Sequence, residues 1–112
     1  MKSPWITMKE AADELGVSTS TIRRLIDEGA FHAIRIGRQI RILDKERLVP
    51  PKKSLTVQEL SRWWRVSEST IQRLLAQGLL PARRIRCSLR FPSPALMEFE
   101  DRQRIRTPPP RP

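Results

Sequence analysis

Two short runs of this sequence carry side chains that together can hold a phosphate and read the edge of a base. The first is Val17-Ser18-Thr19-Ser20-Thr21-Ile22-Arg23-Arg24-Leu25-Ile26-Asp27-Glu28-Gly29. The second, 49 residues further on, is Val66-Ser67-Glu68-Ser69-Thr70-Ile71-Gln72-Arg73-Leu74-Leu75-Ala76-Gln77-Gly78. Small hydroxyl residues opening a helix place oxygen and free backbone N–H groups where an anion binds. An arginine one turn further in reaches both phosphates and guanine edges. Ser18 and Ser67 equally suit the helix N-cap, so each has a structural reading beside the phosphate one. Arg24 and Arg73 recur at one position and are expected to anchor phosphate. Arg23 becomes Gln72, and Thr19 becomes Glu68, on the exposed face, which predicts different base preferences for the two copies.

The charge agrees with a polyanionic partner. The 112 residues include 22 Lys and Arg against 12 Asp and Glu, a net of +10. Nucleic acid is the commonest target of a chain this basic. Residues 1–49 hold nine basic and seven acidic residues, a net of +2, and residues 50–112 hold thirteen and five, a net of +8. The second half should therefore supply more of the non-specific phosphate attraction. No apolar run has the length of a membrane span or signal peptide, so no membrane is expected, and the location is expected to be cytoplasmic and nucleoid-associated. A single cysteine, Cys87, excludes an internal disulfide and a cysteine-rich zinc site. With one histidine, His32, neither metal nor cofactor is expected. Glycine-rich phosphate loops, paired carboxylates and a nucleophile with a histidine partner are all missing, so no catalytic residue is assigned and the chain reads as a non-enzyme.

The elements that must position the two runs follow from periodicity. Thr7 and Glu10 form a capping box, and Met8, Ala11, Ala12 and Leu15 give a short amphipathic helix ending at Gly16. Ser18 caps a second helix with Ile22, Leu25 and Ile26 on its buried face, and Gly29 closes it. Helix, short turn and helix is the helix-turn-helix pattern. Ala33 to Ile42 then alternates as two strands joined at Gly37-Arg38-Gln39. That turn sends Ile34, Ile36, Ile40 and Ile42 inward, and Arg35 and Arg41 outward with Arg38 at the tip. Packed on the helices, the hairpin makes a wing. Asp44 suits the cap of a short third helix through Leu48 and Val49.

From Leu55 the plan restarts without a gap. Thr56 and Glu59 repeat the capping box, and identities between the copies include Thr7, Glu10, Val17, Ser18, Ser20, Thr21, Ile22, Arg24, Leu25, Gly29, Ala33, Arg35 and Arg41. The expected organisation is a first unit at 1–49, a Pro-rich linker at 50–54, a second unit at 55–104 and a disordered Pro-rich tail at 105–112. The linker reads as a semi-rigid spacer that holds the units apart. Ser93-Pro94-Ala95 suggests a cap and a first-turn proline for a last helix to about Arg104. Trp63 and Trp64 are adjacent; Trp64 is expected in the core. Trp63 is expected either at an inter-unit or partner contact, or partly buried in its own unit. The fold class is mainly α with small β-hairpin wings, in two tandem winged helix-turn-helix units.

Val-Ser-x-Ser-Thr-Ile-x-Arg-Leu, then glycine, then a hairpin of the type Ala-x-Arg-Ile, resembles the excisionase-like and MerR-like winged helix-turn-helix family. The resemblance covers Ile6 to Val49 and, more loosely in the wing, Leu55 to Phe99. It implies that the second helix of each unit enters the major groove and each wing follows the minor groove. By position, the groove residues are Ser18, Thr19, Ser20, Thr21, Arg23 and Arg24, and Ser67, Glu68, Ser69, Thr70, Gln72 and Arg73. The wing residues are Arg35, Arg38, Gln39 and Arg41, and Arg83, Arg84, Arg86, Ser88 and Arg90. MerR-type sensors append a long dimerising helix, for which this chain has no heptad pattern.

The expected function is sequence-specific, DNA-bending recognition of double-stranded DNA, as an excisionase or recombination directionality factor. It would bind direct repeats about one helical turn apart, as a monomer or a cooperative head-to-tail assembly, with an integrase or recombinase as partner. A small MerR-like transcription regulator is the alternative, and a protein-interaction adaptor the second.

Overall fold

The structure, a computed structural model, describes residues 3–44 and 48–105. The first capping box forms: Glu10 N–H donates to Thr7 Oγ1 at 3.1 Å and Thr7 N–H donates to Glu10 Oε1 at 2.9 Å. Strand β1 (Trp5–Thr7) leads into helix α1 (Met8–Leu15), which closes on Gly16 in the left-handed region at φ 69°. Helix α2 (Thr19–Asp27) follows its cap, Ser18, and strands β2 (Ala33–Ile36) and β3 (Gln39–Leu43) form the hairpin. The second half repeats this as β4 (Ser54–Leu55), α3 (Val57–Trp64), α4 (Glu68–Ala76), β5 (Arg83–Ile85) and β6 (Ser88–Pro92), then adds α5 (Ser93–Arg102). Each hairpin gains its unit's leading strand, in the antiparallel orders β1-β3-β2 and β4-β6-β5. Both leading strands go beyond the sequence expectation. The architecture is two tandem helix-turn-helix units with β wings.

The register of the first hairpin decides how the units meet. Ile36 pairs with Gln39, so the turn holds two residues, Gly37 and Arg38, rather than three. One residue of register reverses which side chains share a face. Ile34 therefore lies beside Arg41, and Ala33 beside Ile42. Ala33 and Ile42, with Ile40 at the margin, pack on Ala11, Ala12, Ile22 and Ile26 of their own helices. Ile34 and Ile36 point the opposite way. They join Trp5, Leu60, Trp63, Trp64, Val66, Ile71 and Leu74 in one apolar cluster that continues to Phe91 and Phe99.

The two units thus share a core, which corrects the reading of the Pro-rich segment as a spacer holding them apart. The physical reason is volume. The first unit's own core is built of three alanines and three isoleucines. Burying Trp5, Ile34 and Ile36, at about 1.5–3 kcal/mol for each large apolar side chain, needs the surface of the second unit. Trp64 is buried as expected, and Trp63 proves to be buried at this inter-unit contact.

Polar contacts reinforce the junction. Arg41, only 7% exposed, donates from Nε to Trp64 O at 3.0 Å and from Nη2 to Arg65 O. These are the carbonyls of the last residue of α3 and of its C-cap, which have no partner within the helix. Arg65 in turn pairs with Glu10, and Ser3 Oγ donates to Trp63 O. Gln103 to Ile105 run along β2: Arg35 N–H donates to Gln103 O at 3.0 Å and Ile105 N–H donates to Ala33 O at 2.8 Å. Ile105 therefore belongs to the packed structure, not to a disordered tail; residues 106–112 lie outside the described residues.

Three local expectations also change. Ser54 is in β4, and the Lys52 and Lys53 carbonyls accept from the Ser93 hydroxyl and Ser93 N–H, so the linker is tied to α5. Ser93 is the first residue of α5, not its cap; Pro92 holds the cap position and the helix ends at Arg102. In the proposed third helix of the first unit, residues 45–47 lie outside the described residues, and Leu48 and Val49 are in no regular element.

Candidate nucleic-acid interface

Each second helix is set by its serine. Thr21 N–H donates to Ser18 Oγ at 3.2 Å, and Thr70 N–H donates to Ser67 Oγ at 3.1 Å. The same hydroxyls meet Thr21 Oγ1 at 3.1 Å and Thr70 Oγ1 at 2.9 Å. The capping reading of both serines is thus realised. Ser18 and Ser67 remain exposed, as do Thr19, Ser20, Arg23 and Arg24 on α2 and Glu68, Ser69, Gln72 and Arg73 on α4. These residues form one continuous outer face per helix, because Ile22 and Ile26, and Ile71 and Leu74, take the inner one. Arg24 has a loose ion pair with Glu28 at 4.0 Å, both well exposed. Such a pair is worth little and yields readily to a phosphate.

Two threonines at equivalent positions part company. Thr21 is half-buried, whereas Thr70 is buried, because the first hairpin lies on it. A Cβ added at Gly37 would stand 3.3 Å from Thr70 Cγ2, at a φ of +62°. Thr70 is thereby corrected from a groove residue to a junction residue.

The wings differ in the same way. In the first, Arg35 and Arg38 are exposed. Gln39 is half-buried and its Oε1 accepts from Arg41 Nη2. Arg41, expected to point outward, is turned into the junction by the two-residue turn. Burial pushes its guanidinium below its ordinary pKa, with the Arg65 charge adding to this and Glu10 opposing it. The second wing has no unit above it. Arg83, Arg84, Arg86 and Ser88 are exposed, and Arg90 is half-buried. Its turn is Arg86-Cys87, with Arg86 at φ 57°. The first wing tip and α4 also share an open cleft lined by Arg38, Arg73, Gln77 and Gln103, with no carboxylate among its lining residues. Sequence reasoning missed this composite of one unit's wing with the other unit's helix, since only the junction creates it.

No group of His, Cys, Asp or Glu suited to a metal ion occurs among the described residues. No helix among them is long and apolar enough to cross a membrane.

The comparisons with known proteins agree with this geometry. A family model described as a helix-turn-helix domain matches residues 5–46 and again residues 54–104. No curated protein and no solved structure matches the chain. With most of its length in two matched segments, each containing an exposed second helix beside a hairpin, the chain belongs to the helix-turn-helix domain family and is a DNA-binding protein with double-stranded DNA as its partner.

Proposed function

We propose that this chain is an architectural, sequence-specific protein of the excisionase type, a recombination directionality factor that bends DNA for an integrase or recombinase. The observation that carries the reading is the junction. Two reading helices of unlike sequence are fixed to one another by a shared core, so their relative position on DNA is built into the fold. A rigid pair selects DNA whose path suits both helices, and DNA that must curve to meet them costs deformation energy, repaid by contacts. The molecule is 49 Å along its longest axis. Two units in line then have centres roughly 25 Å apart, or about seven base pairs at 3.4 Å each. The shared core holds the two units at one set separation, so the direct half-sites have one preferred spacing.

The contacts divide by role. Arg24 and Arg73 hold phosphates, Thr19, Ser20 and Arg23 with Ser69 and Gln72 face base edges, and Arg83 and Arg84 follow the backbone beside the second unit. Glu68 disfavours phosphate and suits a cytosine amino group. Footprinting on a selected site, with a salt titration and circularly permuted fragments, tests the reading. Two protected segments, a steep salt dependence and position-dependent mobility are expected. One protected segment would refute the tandem reading. Two segments on unbent DNA would leave a promoter-type regulator and refute the architectural role.

A further inference from the structure

The internal junction joins a hairpin face of the first unit to a helix face of the second, and both faces recur, uncovered, at the opposite ends of the molecule. On the hairpin side, Ile36 and Arg41 are repeated as Ile85 and Arg90. Ile36 is fully buried, whereas Ile85 is 51% exposed. On the helix side, Val66, Thr70 and Leu74 are repeats of Val17, Thr21 and Leu25. Val66 is 8% exposed and Val17 40%. Thr70 and Leu74 are buried, and Thr21 and Leu25 are only half-buried. The same residues are thus packed inside the chain and left open outside it. Leu15, at the position of buried Trp64, is a further exposed apolar group on this helix face.

We propose that the second hairpin of one molecule docks on the α1–α2 face of another copy, repeating the internal junction and giving open-ended, head-to-tail association. A heterologous contact of this kind does not close on itself unless its rotation brings it back to the start. Transposed by 49 residues, Arg90 donates to the Leu15 and Gly16 carbonyls as Arg41 does to those of Trp64 and Arg65. Ile85 covers Val17 and Leu25.

The outer junction is less apolar than the inner one, since Ile34 is replaced by Arg83 and Trp63 by Glu14, but the replacements are of opposite charge. In the internal cleft, Gly37 at the hairpin tip and Gln77 at the end of α4 are both lining residues. At the outer junction these positions are Arg86 and Glu28, so a cation and a carboxylate line one cleft, where the long Arg86 side chain can reach the carboxylate. Arg86 also brings a Cβ where Gly37 has none, 3.3 Å from the counterpart of Thr70 Cγ2. Thr21 must give by a few tenths of an ångström, and it is half-exposed and able to do so. The outer contact is therefore weaker than the inner one, which suits a reversible assembly.

Cross-linking without DNA tests this apart from any reading of DNA binding. Arg38 and Leu79 line the same internal cleft, so their counterparts Cys87 and Ala30 stand on the walls of one cleft at the outer junction, within the span of a cross-linker. Wild-type protein is mixed with a size-tagged double variant, Ala30→Cys with Cys87→Ser, and treated with a short thiol-to-thiol cross-linker. The expected product is a mixed dimer, at least fivefold above either like-with-like product. A tagged Lys9→Cys, Cys87→Ser control should give the background level. Glu28→Arg or Arg86→Glu should each abolish the mixed product when introduced on its own side of the junction, and the pair together should restore it. Mixed product no higher than the control would overturn the proposal. Loss in both single variants without recovery in the pair would overturn the Arg86–Glu28 contact on which the register rests.

Discussion

Ile36 and Ile85 are the same residue at the same place in two copies of one hairpin, and the structure predicts that they matter very differently. Ile36 is fully buried between the units, and Ile85 is 51% exposed. Truncating a buried isoleucine to alanine removes its transfer energy and leaves a cavity, together about 2–5 kcal/mol. For a folding unit of this size, each kcal/mol moves the thermal midpoint by roughly 4 °C or more. Ile36→Ala should therefore lower the midpoint by about 8–20 °C, while Ile85→Ala, like most surface changes, stays within about 0.5 kcal/mol. Thermal unfolding followed by circular dichroism, at low protein concentration, measures both. Equal, small shifts would mean that the first hairpin is as free as the second, and the shared core would be refuted. Equal, large shifts would refute the exposed second wing.

Three further outcomes follow from the same geometry. Arg41→Ala strips the α3 carbonyls of Trp64 and Arg65 of a charged donor, at about 1.5–3 kcal/mol for a hydrogen bond to a charged group. Chemical denaturation should show that loss, and Arg35→Ala, on the exposed side, should not. Arg73→Ala, on the outer face of α4, should weaken DNA binding similarly for all sequences and reduce the slope of log affinity against log salt by about one, as measured by fluorescence anisotropy. Acid should weaken the fold in a defined window. A hydrogen bond from Lys52, then the Thr56 backbone, holds the Glu59 carboxyl at about 2 rather than 4.5. Arg65 and then Thr7 lower that of Glu10 as well. Both folded-state values lie below the unfolded one, so their stabilisation is complete above about pH 4.5 and is lost as pH falls toward about 2. Glu59→Gln should flatten that part of the stability–pH curve; an unchanged acid limb would contradict the assignment.

Much of the local structure was legible because it is set by neighbours in sequence. The Thr7–Glu10 and Thr56–Glu59 boxes, the Ser18 and Ser67 caps and both second helices stand where short-range chemistry puts them. The hairpin faces were not, because a two-residue turn in place of a three-residue one reverses their alternation. A signal was present: with Gly37-Arg38 as the turn, Ile34 and Ile36 oppose Ile40 and Ile42, so both faces of the sheet are apolar. A sheet apolar on both faces needs cover on both. Following that would have placed Ile34, Ile36 and Arg41 against the second unit, with Trp63 waiting as the counterpart. The pairing of Gln103 to Ile105 with β2 had no such signal, since it depends on where α5 ends in space.

The claim that the two helix-turn-helix units act as one rigid reader is tested most directly by changing the spacing of their half-sites. On a selected binding site, five base pairs inserted between the half-sites move the second by roughly half a helical turn. A body fixed by the shared core cannot follow, so affinity should drop to that of a single half-site. Affinity retained within about twofold would mean that the units move independently on DNA, and would contradict the account.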